Sequence, residues 1–349
     1  MFDQFHGNEV VPRSFLLYFV TLIPKVNNPF TLKQFRPISL LGCLYKLLEK
    51  VLAGRMSMVM SSIISSSQST FVKGRNLVDG VSVINEVVDV ARRMNRECLI
   101  LKVDFEKAND TVDWSFLEYM LRRVGFCSKW INWMKACVFG GNMPILVNGS
   151  PTEEICIERG LKQGDGGNMS ILVNGSPTEE ICIERGLKQG DLLAPFLFLL
   201  VSEGFSGLMR NVVNSNSFTG FDLRSNGLVV SHLQYADDTL CIGEASVDNL
   251  WTLKALLIGF EMASGLKVNF AKSCLIGVNV GREFMEAACN FMNCREGFLP
   301  FKYLDLPVGA NPRRMSTWEP LLDCLKKGLI LGVISMRALE VGWSFLMRC

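Results

Sequence analysis

Histidine is nearly missing from this chain: two of its 349 residues, His6 and His232, are histidine. They lie far apart in sequence, so a zinc site built from His and Cys is not expected. Twelve cysteines are present, but they form no CxxC pair and follow no regular spacing. They read as reduced, buried thiols of an intracellular protein. A surplus of one charge is missing too. The formal net charge is only +2, too little for binding to nucleic acid over the whole surface. Long apolar runs are also lacking. The longest, Phe15–Ile23 and Leu192–Val201, reach about ten residues, where a bilayer needs about 20. The start, MFDQFHGNEV, has no basic stretch leading into an apolar one, so no signal peptide is expected. These absences predict a nuclear or cytoplasmic location and no membrane.

What is present is a globular composition. The chain is 49% hydrophobic and 20% charged, and its length suits two or three subdomains. Apolar spacing predicts helices over Ile38–Met60, Leu77–Met94, Trp114–Phe126, Lys129–Phe139, Leu192–Met209 and Val247–Gly265. Strands are expected at Phe15–Pro24, Cys98–Val103 and on both sides of the acidic stretch Tyr235–Asp238, and Leu266–Val280 reads as strand-rich. The stretch from Ser61 to Phe71 reads as a loop. The alternation gives an α+β or α/β chain around a small central sheet.

One segment occurs twice. GGNMPILVNGSPTEEICIERGLKQGD fills 140–165, and 166–191 repeats it with Ser170 in place of Pro144. Asn-Gly marks a hairpin turn in each copy. Solenoids need three or more units to stack a core, so a lone pair reads as a recent genetic accident.

Chemistry concentrates in acids. YADD, Tyr235–Asp238, puts two carboxylates in a tight turn between apolar strands, where they repel unless a cation neutralises them. Asp104 ends another apolar strand, LILKVD. Two strands presenting Asp at one sheet edge can hold two divalent ions for phosphoryl or nucleotidyl transfer. Carboxylate ligands suit magnesium. Asp110 and Asp113 lie past the strand, where capping of a helix is expected.

Seven motifs in order carry a resemblance. They are LIPKV followed by FRPISLLGCLYKLLEKVLAGRM, then QSTFVKGRNLVDGV, LKVDFEKANDTVDWSFL, GLKQGDLLAPFLFLL, YADDTL, GLKVNFAKS and FKYLDLPVGANPRR. Together they resemble the reverse transcriptase domain of non-LTR, LINE-type retrotransposons, in a plant-like version. The resemblance implies a right-hand polymerase of α+β class with a duplicated hairpin between its palm motifs. It implies fingers over 1–97, palm over 98–139 and 192–280, and the duplication over 140–191. The primer grip and start of the thumb would occupy 281–325, before a tail, 326–349, unlike the family.

It also implies catalytic Asp104, Asp237 and Asp238, with Asp104, Asp237 and the carbonyl of Phe105 as Mg2+ ligands. Arg36, Lys73, Arg75, Asn109, Gln189 and Lys272 would meet the nucleotide, and Tyr303, Leu304 and Asp305 the primer. Implied partners are an RNA template, a DNA primer and dNTPs, with no zinc; the oligomeric state stays open.

Several positions depart from the resemblance. Asn109 stands where the family carries an aromatic that excludes a 2′-hydroxyl. Asp305 replaces a Gly that suggests positive φ. Leu192 replaces a Pro at a first helical turn, at little cost. Only the second repeat runs on into LLAPFLFLL, so Gln189 rather than its copy Gln163 is the nucleotide contact. These departures, with the tail and the missing companion domains, support an alternative: a decayed retroelement remnant, catalytically weak or inactive, with residual RNA binding at most.

Overall fold

The computed structural model describes residues 2–11, 18–24, 28, 30, 34–106, 108–138, 192–223, 227–311 and 319, and the backbone of short strand pairs between 142 and 177. The chain divides into two compact units, each built from separate segments. One holds 1–64, 106–204 and 260–267; the other holds 65–105, 205–259 and 268–349.

The first unit begins with helix α1 (Phe2–Asn8) and the hairpin of β1 (Tyr18–Pro24) and β2 (Phe35–Leu41). Their ladder runs from Tyr18 opposite Leu41 to Pro24 opposite Phe35. Helix α2 spans Cys43–Ile63. The helix expected from Ile38 therefore starts later, and it runs on into the serines read as loop. FRPISLLGCLYKLL is apolar almost throughout, so its period cannot separate strand from helix. Gly42, extended at φ −63° and ψ 149°, makes the break.

Helix α3 (Leu77–Arg93) belongs to the second unit, and the short α4 (Ala108–Thr111), α5 (Trp114–Arg123) and α6 (Ser128–Val138) belong to the first. Asp113 caps α5, as expected, by accepting from the amides of Ser115 and Phe116. Tyr45 of α2 donates to the Cys137 carbonyl of α6 at 2.5 Å. Phe116 meets Phe260 edge-on, centroids 6.0 Å apart.

Among the described residues, the duplicated segment forms the same inner strand pair in both copies. In the first copy β4 (Asn142–Met143) pairs with β7 (Ile155–Cys156), and β5 (Leu146–Val147) with β6 (Ser150–Pro151). In the second, β8 (Leu172–Val173) pairs with β9 (Ser176–Pro177) in the register of β5 and β6. β1 runs beside β4 and β5.

The second unit is organised on a five-stranded sheet in the order β12, β13, β3, β14, β15. Its strands are β3 (Cys98–Val103), β12 (His232–Tyr235), β13 (Asp238–Gly243), β14 (Cys274–Val278) and β15 (Arg295–Gly297). All neighbours run antiparallel except β14 and β15. Buried Val81, Ile84, Val87 and Val88 of α3 pack with Ile100, Leu240, Ile242 and Ile276 of the sheet. Two small pairs lie outside the sheet, one before β12 and one after β15 in sequence: β10 (Phe221–Asp222) with β11 (Val229–Val230), and β16 (Phe301–Tyr303) with β17 (Leu306–Val308).

Three further helices are described: α7 (Ala194–Asn214), α8 (Val247–Ser264) and α9 (Arg282–Met292). α8 ends, as expected, at Gly265, whose φ is +77°. A Cβ there would come within 2.4 Å of the Thr111 carbonyl, so only glycine fits. α7 outruns the ten-residue apolar stretch seen in the sequence. By length and composition it could cross a membrane, but 56% of its most apolar window is buried within the protein. That is the burial of a core helix.

Candidate active site

The acids converge through sheet register. Tyr235 pairs with Asp238, which leaves Ala236 and Asp237 as a two-residue turn between β12 and β13. Thr239 pairs with Val103. One further step in that register sets Asp238 opposite Asp104. Opposed residues share a face, so both carboxylates rise from one side of the sheet. Lys102, two residues before Asp104, lies on the same side.

Electrostatics reports the crowding. Burial raises the Asp238 carboxyl above the usual range, and the positive charge of Lys102 opposes it. The negative charges of Asp237, Asp104 and Asp305 then push it further up.

Asp104 is held by its backbone. Its amide donates to Ser273 Oγ at 3.1 Å, and its carbonyl accepts from the Asn269 amide at 2.8 Å. Ser273 in turn donates to the Asn269 carbonyl at 2.8 Å. The NFAKS stretch thus wraps the end of β3, and exposed Lys272 sits on it. Phe105 continues the chain through an antiparallel bridge to Val268.

Behind the acidic turn lies a buried polar chain. His232 Nε2 is 3.1 Å from Ser206 Oγ, which donates to Gln234 Oε1 at 2.7 Å. Burial keeps the His232 imidazole neutral, with its pKa pushed down to about 4. Ala236 has φ +54°, a conformation costing a non-glycine residue about 1 kcal/mol.

The β16–β17 hairpin brings the fourth acid. Tyr303 pairs with Leu306, so Leu304 and Asp305 form the turn. Their φ values are +53° and +61°, the left-handed pair of a type I′ turn, which favours Asn and Gly. The positive φ suggested by the missing Gly is therefore present at Asp305. Tyr303 is buried, and its hydroxyl pKa is raised by that burial and then by the charges of Asp238 and Tyr235. Lys102 Nζ reaches the Lys302 carbonyl at 3.4 Å.

The family model for reverse transcriptase (RNA-dependent DNA polymerase) matches residues 23–304. The chain belongs to the reverse transcriptase family. It is 27% identical over 254 residues to the transposon TX1 uncharacterized 149 kDa protein of Xenopus laevis, covering 73% of this chain and 17% of that protein. It is also 27% identical over 273 residues to the retrovirus-related Pol polyprotein from type-1 retrotransposable element R2 of Popillia japonica, covering 77% of this chain and 33% of that protein. The chain thus spans a third or less of these relatives' length. Among solved structures it is similar to apo telomerase from Candida tropicalis truncated from its C-terminal domain. That alignment has a TM-score of 0.49 and 13% identity, covering 78% of this chain and 52% of that one.

Within this reverse transcriptase the expected site residues divide. Asp104, Phe105, Asp237, Asp238, Lys73, Arg75, Lys272, Tyr303, Leu304 and Asp305 all belong to the second unit. Lys73 is exposed there. Arg75 is engaged by its own loop: Nη1 donates to the carbonyls of Ser65 at 2.5 Å and Gln68 at 2.6 Å. Arg36, Asn109 and Gln189 belong to the first unit. Arg36 is on β2 opposite Ile23, Asn109 is exposed on α4, and Gln163 and Gln189 lie outside the described residues. Reading the sequence missed Lys102, Asn269 and Ser273. Lys102 left a signal, a lysine inside an apolar strand two residues before an aspartate. Ser273 and Asn269 act by tertiary approach and left none.

Proposed function

We propose that this chain is an RNA-directed DNA polymerase working by two-Mg2+ nucleotidyl transfer, the catalytic domain of a LINE-type retroelement. The observation that carries this reading is the register that opposes Asp104 and Asp238 with Asp237 in the adjoining turn. Reverse transcriptases generally use a divalent metal, and the donor set fits one. The donors are hard carboxylate oxygens, and their mutual repulsion would be relieved by a cation. Among the described residues no three His, Cys, Asp or Glu side chains converge tightly enough to hold an ion alone. Mg2+ is ordinarily completed by water and substrate phosphates.

Asp104, Asp237 and the Phe105 carbonyl would be its protein ligands. Bound there, Mg2+ would activate the primer 3′-hydroxyl and neutralise the departing pyrophosphate. Lys272, exposed on the loop that grips Asp104, suits the pyrophosphate. Lys73 and Arg36 would meet the triphosphate, and Gln189 the sugar. Arg75, with Nη1 held by its loop carbonyls, would act there through its remaining N–H groups. Tyr303, Leu304 and Asp305 would seat the primer, and an RNA strand would be the template. On this reading fingers (1–97) and palm (98–139, 192–280) flank the duplicated hairpin, and the primer grip follows at 281–325.

A second reading, a weak or inactive remnant, is favoured by the fourth carboxylate. Asp305 adds negative charge beside Asp238 where the family carries glycine.

Primer extension on an RNA template with Mg2+ and dNTPs separates the two. This chain, the chain without 140–165, and Asp237→Ala are compared. Extension by the first and not by the last upholds the polymerase. Extension only after excision assigns the defect to the duplication. Extension by neither leaves the remnant reading.

A further inference from the structure

We infer that Gln68 is a positioning residue for the acidic turn, a role that rests on the polymerase reading above. Gln68 lies in QSTFVKGR and is 1% exposed. It belongs to no strand of the central sheet. The loop around it instead runs parallel to β12, the sheet's edge strand. Gln234 donates its amide to the Ser67 carbonyl at 2.7 Å, and its carbonyl accepts from the Ser69 amide at 3.0 Å. From this rail the Gln68 side chain reaches the turn. Its Oε1 accepts from the Ala236 amide at 3.1 Å, and its Nε2 donates to the Ala236 carbonyl at 3.5 Å. The Thr70 amide also donates to Oε1, at 3.2 Å.

One primary amide therefore satisfies both backbone groups of the residue held at φ +54°. That residue lies directly before Asp237 and two before Asp238. The choice of Gln follows from its chemistry. A carboxylate at 68 offers acceptors only and brings another negative charge toward a crowded site. Asn is one methylene short of the same reach. Arg75 fixes the loop from its other side by donating to the carbonyls of Ser65 and Gln68. The line of support runs from Arg75 through the loop and Gln68 to Ala236, and so sets how Asp237 and Asp238 are presented.

The test uses the full chain, 15N-labelled, with Mn2+ as the probe cation. Gln68→Met keeps the volume and removes both hydrogen bonds to Ala236 together with the one from the Thr70 amide. Expected are amide exchange at Ala236 faster by about tenfold or more and Mn2+ binding weaker by about tenfold, the scale for groups that orient metal ligands. The KM for Mg2+ in primer extension should rise, with kcat recovering at saturating Mg2+. If either Ala236 exchange or Mn2+ affinity stays within about twofold of the parent, the idea is overturned. A second pair guards against global destabilisation. In an Ala236→Gly background the turn no longer holds a disfavoured residue, so Gln68→Met should change both readouts less. An undiminished effect there overturns the positioning role. If the parent binds no Mn2+ and extends no primer, the polymerase reading fails, and exchange at Ala236 alone decides the clamp.

Discussion

The hairpins His232–Gly243 and Phe301–Val308 share one plan: two antiparallel strands, a two-residue turn and an acid in that turn. Both turns hold non-glycine residues at positive φ. Their support differs. The first hairpin is woven into the sheet through β3 on one side, and the Gln68 loop lines its other edge. Its turn geometry is imposed by partners, so Ala236 is tolerated. The second hairpin is a sheet of two strands. Buried Tyr303, Leu306 and Val308 anchor its strands in the core, while the turn rests on Leu304 and Asp305, neither the residue a type I′ turn prefers. A strained turn can thus be stabilised from outside or carried by the packing of its flanking strands. In the two cases substitution has different consequences.

The largest expected effect separates the two acids. Asp237→Asn should cut primer extension by about 10³-fold, because a metal clamp contributes several kcal/mol to the transition state. Asp305→Asn should lose far less, since it removes a repelling charge from beside Asp238 and no metal ligand, and Asn keeps the left-handed turn that would seat the primer. A matching collapse in Asp305→Asn would break the comparison.

Next comes pH. His232 supports the first hairpin in neutral form, with its pKa lowered by burial from 6.5 to about 4. Between those values the unfolded chain binds a proton that the folded chain does not, so stability falls as pH drops from about 6.5 to about 4. The loss reaches up to ~3 kcal/mol. Urea midpoints across that window should slope for the parent and flatten for His232→Gln. Equal slopes would detach His232 from the support.

The turn of the second hairpin gives a smaller effect. Leu304→Asn should stabilise by less than ~1 kcal/mol, because Asn adopts left-handed φ with less strain but gives up the packing of Leu304 against the core. Thermal unfolding checks this; a lower midpoint would mean that Leu304 contributes packing that outweighs its strain. The smallest effect concerns the repeated hairpin. Removing 140–165 should gain only ~0.6 kcal/mol per halving of loop length. A shift several times larger would show the two copies competing for one place beside β1.

Much of the site could be read in the sequence because its parts are local. Asp104 ends an apolar strand, YADD lies between two, and Asp113 caps the helix beside it. The β2 strand was hidden because FRPISLL and GCLYKLL form one apolar run in which period carries no information. Gln68, Asn269 and Ser273 were hidden for a different reason. Each acts on a backbone group distant in sequence, through contacts that leave no periodic or compositional trace. Arg75 shows a second kind of hidden contact. A basic residue in a familiar motif suggested a phosphate, and its Nη1 also closes a loop by donating to the carbonyls of Ser65 and Gln68.

The central strand also has a consequence for synthesis. β3 is translated well before its neighbours β13 and β14, and Ser273 follows Asp104 by 169 residues. A nascent chain therefore carries the bare edges of β3 until β13 and β14 have been made. The duplication lengthens that wait by the time needed for one extra copy, about 1–5 s at ordinary ribosomal rates. Whatever the folded chain tolerates, the interval on the ribosome is when it is most exposed to mispairing.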